Sequence, residues 1–221
     1  MNFIIENKLL FIKKSIPSSV TILVVSKNHG ISYIKKLYEI GHRDFGENYV
    51  QEMKKKYLLL PKDIRWHMIG RIQSNKIKYI IPFIHLIHSV QKLKHIKIIN
   101  EIGLKQKKVI SCLLQIKICQ ENSKSGINYE EAVRILENCY YMKNVKIIGV
   151  MGMATLQKEE EKLHNEFIFL RKIYNIFKKK YGHKILSMGM SRDYNIAIKH
   201  GSNLIRLGTI IFGNRKKNYL F

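Results

Sequence analysis

Short runs of consecutive apolar residues alternate along this chain with longer stretches in which apolar positions recur every three or four residues. The runs fall at 21–25 (TILVV), 43–46 (RDFG), 66–70 (WHMIG), 85–89 (HLIHS), 109–118 (VISCLLQIKI), 145–151 (VKIIGVM), 184–188 (KILSM) and 203–207 (NLIRL). Between them lie helical patterns such as Ile31, Ile34, Leu37, Tyr38 and Phe167, Leu170, Ile173, Phe177. Strands separated by helices predict right-handed crossovers and a parallel sheet. Eight such units in 221 residues predict an α/β fold, a single compact (β/α)8 TIM-type barrel over 1–221, with 1–15 as an extra leading helix. An open doubly wound sheet is the alternative. The three prolines and 13 glycines mark no linker, and no repeat or low-complexity segment interrupts the pattern.

Composition narrows the class. With 46% hydrophobic residues the chain supports a full core, so intrinsic disorder is excluded. Cys112, Cys119 and Cys139 are odd in number and form no C-x-x-C pair, which argues against a disulfide framework or zinc site and for a reducing compartment. The first fifteen residues are interrupted by charge, and no segment approaches the roughly 20 apolar residues of a membrane span. A soluble, cytoplasmic protein without a membrane partner is expected.

The net charge of +24 is the footprint of a nucleic-acid binder, but the composition offers another cause. There are 32 Lys against 8 Arg and 36 Ile against 3 Ala, the skew of AT-rich codons. The lysines spread along the whole chain and form no stripe with interleaved aromatics, so no specific nucleic-acid partner is expected.

In a barrel, chemistry gathers just after the strands. Lys27 follows the first run, where apolar surroundings can lower an amine's pKa and free it to attack a carbonyl; it can equally be one more exposed lysine. Asn48 follows the second run and either meets a ligand or caps a helix. Ser74 or Asn75 suits a helix cap, and Lys124, a second candidate amine, reads best as part of a solvated loop. Near the seventh and eighth runs, Gly189, Met190 and Ser191, then Arg206, Gly208 and Thr209, form two small-residue turns with hydroxyls. Ser191 is expected at a helix N-terminus, and loops in this part of a barrel hold phosphate in many enzymes. A strand-end lysine plus two such turns describes a site for an aldehyde with a phosphate handle, which pyridoxal 5′-phosphate (PLP) fits. His85 and His88 are three apart in a strand-like run, hence on opposite faces, and no ligand set for a metal is apparent. Cys112 and Cys119 read as core, and no G-x-S-x-G elbow supports a serine hydrolase.

The ordered motifs V-S-K at 25–27, G-E-N-Y-V-Q-E at 46–52, W-H-M-I-G-R-I-Q-S-N-K at 66–76, E-N-S-K-S-G at 121–126, S-M-G-M-S-R-D at 187–193 and R-L-G-T-I-I-F-G at 206–213 resemble the pyridoxal phosphate homeostasis proteins, the YggS/PROSC family of PLP-binding proteins. The resemblance runs from about residue 20 to 215. It implies a barrel of the alanine racemase N-terminal type with PLP as an internal aldimine on Lys27. It further implies Asn48 beside the cofactor, Arg206 facing the pyridine nitrogen, and Ser191, Gly208, Thr209 and the Met190 backbone on the phosphate. Asn28, where the family often has Thr, and the variant Met151-Gly152-Met153 touch neither the lysine nor the phosphate turns.

The function implied is that of a PLP carrier maintaining the balance of vitamin B6 forms, a monomer serving PLP-dependent apo-enzymes, with no catalytic residues. The alternative is a PLP-dependent amino-acid racemase of low activity. Racemases of related fold carry a second domain that closes the site and supplies an acid or base, for which 221 residues leave no room.

Overall fold

The computed structural model describes residues 4–121, 124–155 and 160–213. After helix α1 (Ile4–Ser15) come strand β1 (Thr21–Val25), α2 (Ile31–Glu39), β2 (Asp44–Glu47), α3 (Val50–Leu59), β3 (Arg65–Met68), β4 (Ile84–Val90) and α4 (Leu93–Lys105). The chain continues through β5 (Ile110–Ile116), α5 (Tyr129–Cys139), β6 (Val145–Gly152), α6 (Glu160–Tyr181), β7 (Ile185–Met190), α7 (Tyr194–Lys199), β8 (Leu204–Leu207) and α8 (Thr209–Phe212). The eight strands pair in sequence order, and β8 closes on β1 in parallel, giving a closed barrel and not the open sheet.

Strands buried on both faces must be apolar on both, which is why they read as continuous runs. Leu23, Leu86, Leu113, Met151 and Leu204 fill the barrel interior, while Val24, Phe45, Trp66, Ile87 and Val150 face the surrounding helices. The periodic positions of the helices meet that outer surface. On α6, Phe167, Leu170, Ile173 and Phe177 are all buried, each contributing roughly 1.5–3 kcal/mol of apolar burial. The leading helix α1 buries Leu9 and Ile12 and packs on α2 and α8.

Two expectations are corrected. Between β3 and β4 there is no α-helix for Ser74 or Asn75 to cap; Ser74–Tyr79 is a 3-10 segment whose N-cap is Gln73. Strict alternation would separate His85 from His88, yet both rings lie 5.2 Å from that of His67. The cause is a register shift in the β3–β4 pairing between Trp66 and His67, which inserts His85 and resets the alternation. Even so, no group of three metal-binding side chains forms among the described residues. Cys112 and Cys119 are buried and unpaired, as expected of core positions. No described helix is long and apolar enough to cross a membrane.

Candidate functional site

The candidate residues lie at or just beyond the C-terminal ends of β1, β2, β7 and β8, which the barrel's closure makes neighbours. Lys27 stands two residues beyond β1 and is half-buried. Its chain neighbours are both held. Ser26 donates its hydroxyl to Glu47 at 2.6 Å and its carbonyl accepts from the Lys56 ammonium at 2.8 Å. The Asn28 N–H donates to Glu52 at 2.7 Å, and Asn28 adopts a φ of 61°, a left-handed conformation that asparagine tolerates. Lys56 ties the set together, donating to Glu47 and Glu52 at 2.7 Å each. Burial pushes the Glu47 carboxyl up to about 7, against the opposing pull of Lys56. This buried ionic group escaped the sequence reading because its members lie on β2, α3 and the loop after β1. The Glu52–Lys56 pair, one helical turn apart, was its only local signal.

Asn48 follows β2 and lies against Gly70: a Cβ on that glycine would meet the Asn48 carbonyl oxygen at 2.1 Å. Only glycine allows the loops after β2 and β3 to touch in this way. The Gly70 carbonyl in turn accepts from the Ser89 hydroxyl.

At the other side of the mouth, the Ser191 hydroxyl oxygen accepts from the Gly208 N–H at 3.2 Å and the Ile210 N–H at 3.3 Å. The two small-residue turns are thereby joined. Contrary to expectation, Ser191 is not at the start of the next helix; Asp193 is its N-cap, and the Asp193 carboxylate accepts from the Met190 N–H. Gly189 has a φ of 92°, a conformation that needs glycine, and so lets β7 turn sharply beneath Met190. Gly208 packs against Val25, bringing the β8 turn beside the end of β1. Thr209 is exposed, with no side-chain hydrogen bond among the described residues.

Arg206 is 4% exposed, at the level of Met190 on β7. It donates through Nη1 to the Ser187 carbonyl at 3.0 Å and hydroxyl at 2.7 Å, and through Nη2 to the Gly152 carbonyl at 2.8 Å. Burial lowers its pKa to about 10, with Asp193 opposing, so the guanidinium stays charged at neutral pH. Of its five N–H groups, Nε–H and one on Nη2 have no partner among the described residues. A buried cation with donors to spare fits an acceptor atom such as a ring nitrogen. Lys124 departs from the solvated-loop reading: its side chain is only 11% exposed, with its ammonium on the Ala154 carbonyl and 3.5 Å from Glu121.

A half-buried strand-end amine, a buried arginine and two glycine–hydroxyl turns gather at one barrel mouth, the groups that an aldehyde with a phosphate handle, such as PLP, calls for. Comparison with known proteins gives the particular family. Residues 4–216 match the alanine racemase N-terminal domain. The pyridoxal phosphate homeostasis protein of Aquifex aeolicus is 34% identical over 198 residues, 88% of this chain and 87% of that protein. The one from Synechocystis is 37% identical over 205 residues, 91% and 94% of the two chains. PipY of Synechococcus elongatus, solved with PLP bound, superposes with a TM-score of 0.88 at 30% identity, covering 95% of this chain and all (100%) of that one. Alanine racemase of Clostridium difficile shares the fold, with a TM-score of 0.80 at 18% identity over 59% of its own chain. The chain belongs to the pyridoxal phosphate homeostasis protein family.

Proposed function

We propose that this protein binds PLP and maintains its supply, with the Lys27 amine bonding the cofactor's aldehyde carbon. The observation that carries this reading is the way Ser26 and Asn28, on either side of Lys27, are both fixed by the Glu47–Lys56–Glu52 group. An amine held in one position beside an anchored aldehyde reacts at high effective concentration. The Ser191 and Thr209 hydroxyls, presented by the turns at Met190 and Gly208, would hold the phosphate, Arg206 would donate to the ring nitrogen, and Asn48 would flank the ring. PLP supplies an electron-withdrawing ring that stabilises charge at a bonded amino acid's α-carbon. Arg206 would weaken that effect, because a guanidinium donates to an unprotonated ring nitrogen and cannot accept a hydrogen bond from a protonated one, so the ring stays neutral.

The protein therefore carries PLP for apo-enzymes of the cytoplasm, as a monomer, and turns amino acids over little if at all. The similarity of relatives named homeostasis proteins supports this, and alanine racemase is related through its fold alone. The test is a visible spectrum with PLP, then polarimetry with L-alanine. A yellow protein whose colour is lost in Lys27→Ala, with negligible racemisation, is expected. A colourless protein defeats the binding reading, and turnover near about 1 per second, an ordinary enzyme rate, makes it a racemase.

A further inference from the structure

Next to the Lys27 site, with Asn48 belonging to both, lies a cavity of about 740 Å3. It opens between the loop after β3, the 3-10 segment and the starts of α3 and α4. Its volume falls within the range of about 300–1,000 Å3 typical of small-molecule sites. Arg71, Lys76 and Lys92 line it, and none of the three is paired with a carboxylate among the described residues. No Asp or Glu lines it. Glu52, the acidic residue in the first turn of α3, is bound to Lys56 and the Asn28 N–H instead.

Two further observations give the cavity a preference. Helices α3 and α4 both begin at its wall, and neither start is capped by a side chain, so free N–H groups and two positive dipole ends reach it. His95, on the first turn of α4, is 9% exposed, lines the cavity, and has a buried Nδ1 with no partner. A buried ring nitrogen left without a hydrogen bond is destabilising, and a small turn of the ring toward a ligand in the cavity would relieve it.

We infer that this cavity is a second ligand site, for a small organic anion with at least two negative charges, a phosphate ester or a dicarboxylic acid. Arg71, Lys76 and Lys92 neutralise the charge, the helix starts donate N–H groups, and the His95 ring forms part of the wall the ligand meets. Three cations without counter-ions repel one another, and a doubly charged ligand relieves that repulsion where a single carboxylate does so only in part.

The experiment is isothermal titration of the PLP-loaded protein at physiological ionic strength with inorganic phosphate and, separately, with succinate. Saturable binding of at least one probe is expected, and the tighter of the two names the ligand class. Arg71→Gln combined with Lys92→Gln, both exposed positions, is expected to weaken it about tenfold or more, equal to about 1.4 kcal/mol. His95→Phe is expected to weaken it as well, which a loose cloud of surface charge would not show. Ser191→Ala combined with Thr209→Ala strips the PLP phosphate turns and leaves this binding intact. Absence of saturable binding, binding indifferent to Arg71 and Lys92, or binding lost with Ser191 and Thr209 each overturns the inference. None of these outcomes depends on which lysine holds PLP.

Discussion

His67 and His88 share a hydrogen bond inside the barrel, Nδ1 to Nε2 at 2.9 Å. It is the middle link of a chain. Arg206 donates to Ser187 at 2.7 Å, the Ser187 hydroxyl lies 3.4 Å from His88 Nδ1, and His67 Nε2 lies 3.2 Å from Asp44. One polarity satisfies every link: each group donates toward Asp44, with both imidazoles neutral. Burial holds both histidines below their ordinary pKa, and the hydrogen bonds from Arg65 and His67 hold Asp44, against its own burial, well below the usual carboxylate range. The site's buried cation is thus connected through the barrel interior to the carboxylate at the start of β2.

This chain predicts non-additive stability. His88→Leu leaves the Ser187 O–H without its acceptor and His67 Nδ1 without its donor, at about 1–3 kcal/mol for each buried group left unpaired. With His67→Leu also present, His67 Nδ1 is no longer there to be stranded. A urea double-mutant cycle is expected to show a coupling of about 0.5–3 kcal/mol. Strict additivity would mean the two rings touch without depending on each other.

The eight strands and the helices α2 and α6 were legible in the sequence because each run is short and apolar and each helix buries one stripe, as Ile34 and Leu37 show on α2. Strand ends moved by a residue or two, as β2 did from 43–46 to Asp44–Glu47. The placing of Lys27, Ser191 and Gly208 just beyond strands, and of Arg206 within the β8 run, was legible from those runs. The His67–His88 pair could not, since it depends on a register shift between strands 21 residues apart. The close approach of Gly70 to Asn48, the burial of Lys124 and the group around Lys56 were equally invisible, being made by the closure of the barrel.

Acid should destabilise the fold before carboxylates titrate. Burial lowers His42 and His183 to about 4 from 6.5, and lowers His67 and His88 as well. Between those values the unfolded chain binds more protons, so the stability these residues give is full above 6.5 and lost as pH falls toward 4. Glu47, raised to about 7, and Asp193, also raised by burial, act in the opposite sense, but they are two groups against seven histidines that burial lowers, His85, His95 and His200 included. Urea midpoints are expected to fall between about pH 7 and about pH 5. His183, whose two ring nitrogens are buried and unpartnered, offers a control: His183→Leu should raise stability by about 1–2 kcal/mol and flatten the pH dependence. A His183→Leu protein less stable at both pH values would contradict this account.

The phosphate turns predict discrimination between B6 forms. Ser191→Ala with Thr209→Ala should cost on the order of 2–4 kcal/mol of PLP affinity and leave pyridoxal, which lacks the phosphate, little changed. Fluorescence titration with both compounds checks it. Equal losses for the two would assign the turns to structure alone.

The charge of +24 predicts only weak contact with nucleic acid. Released counter-ions supply nearly all of such binding, so any DNA or RNA affinity should be indifferent to sequence and vanish in moderate salt. Nanomolar binding at physiological salt, read by filter binding, would reveal a specific face.

The central claim is that Lys27, fixed between Ser26 and Asn28, holds the cofactor. Borohydride reduction of the PLP-loaded protein, digestion and mass spectrometry of the peptides test it directly. The account predicts a pyridoxyl group on Lys27. A pyridoxyl group found on another lysine, Lys124 included, with Lys27 unmodified, would contradict it.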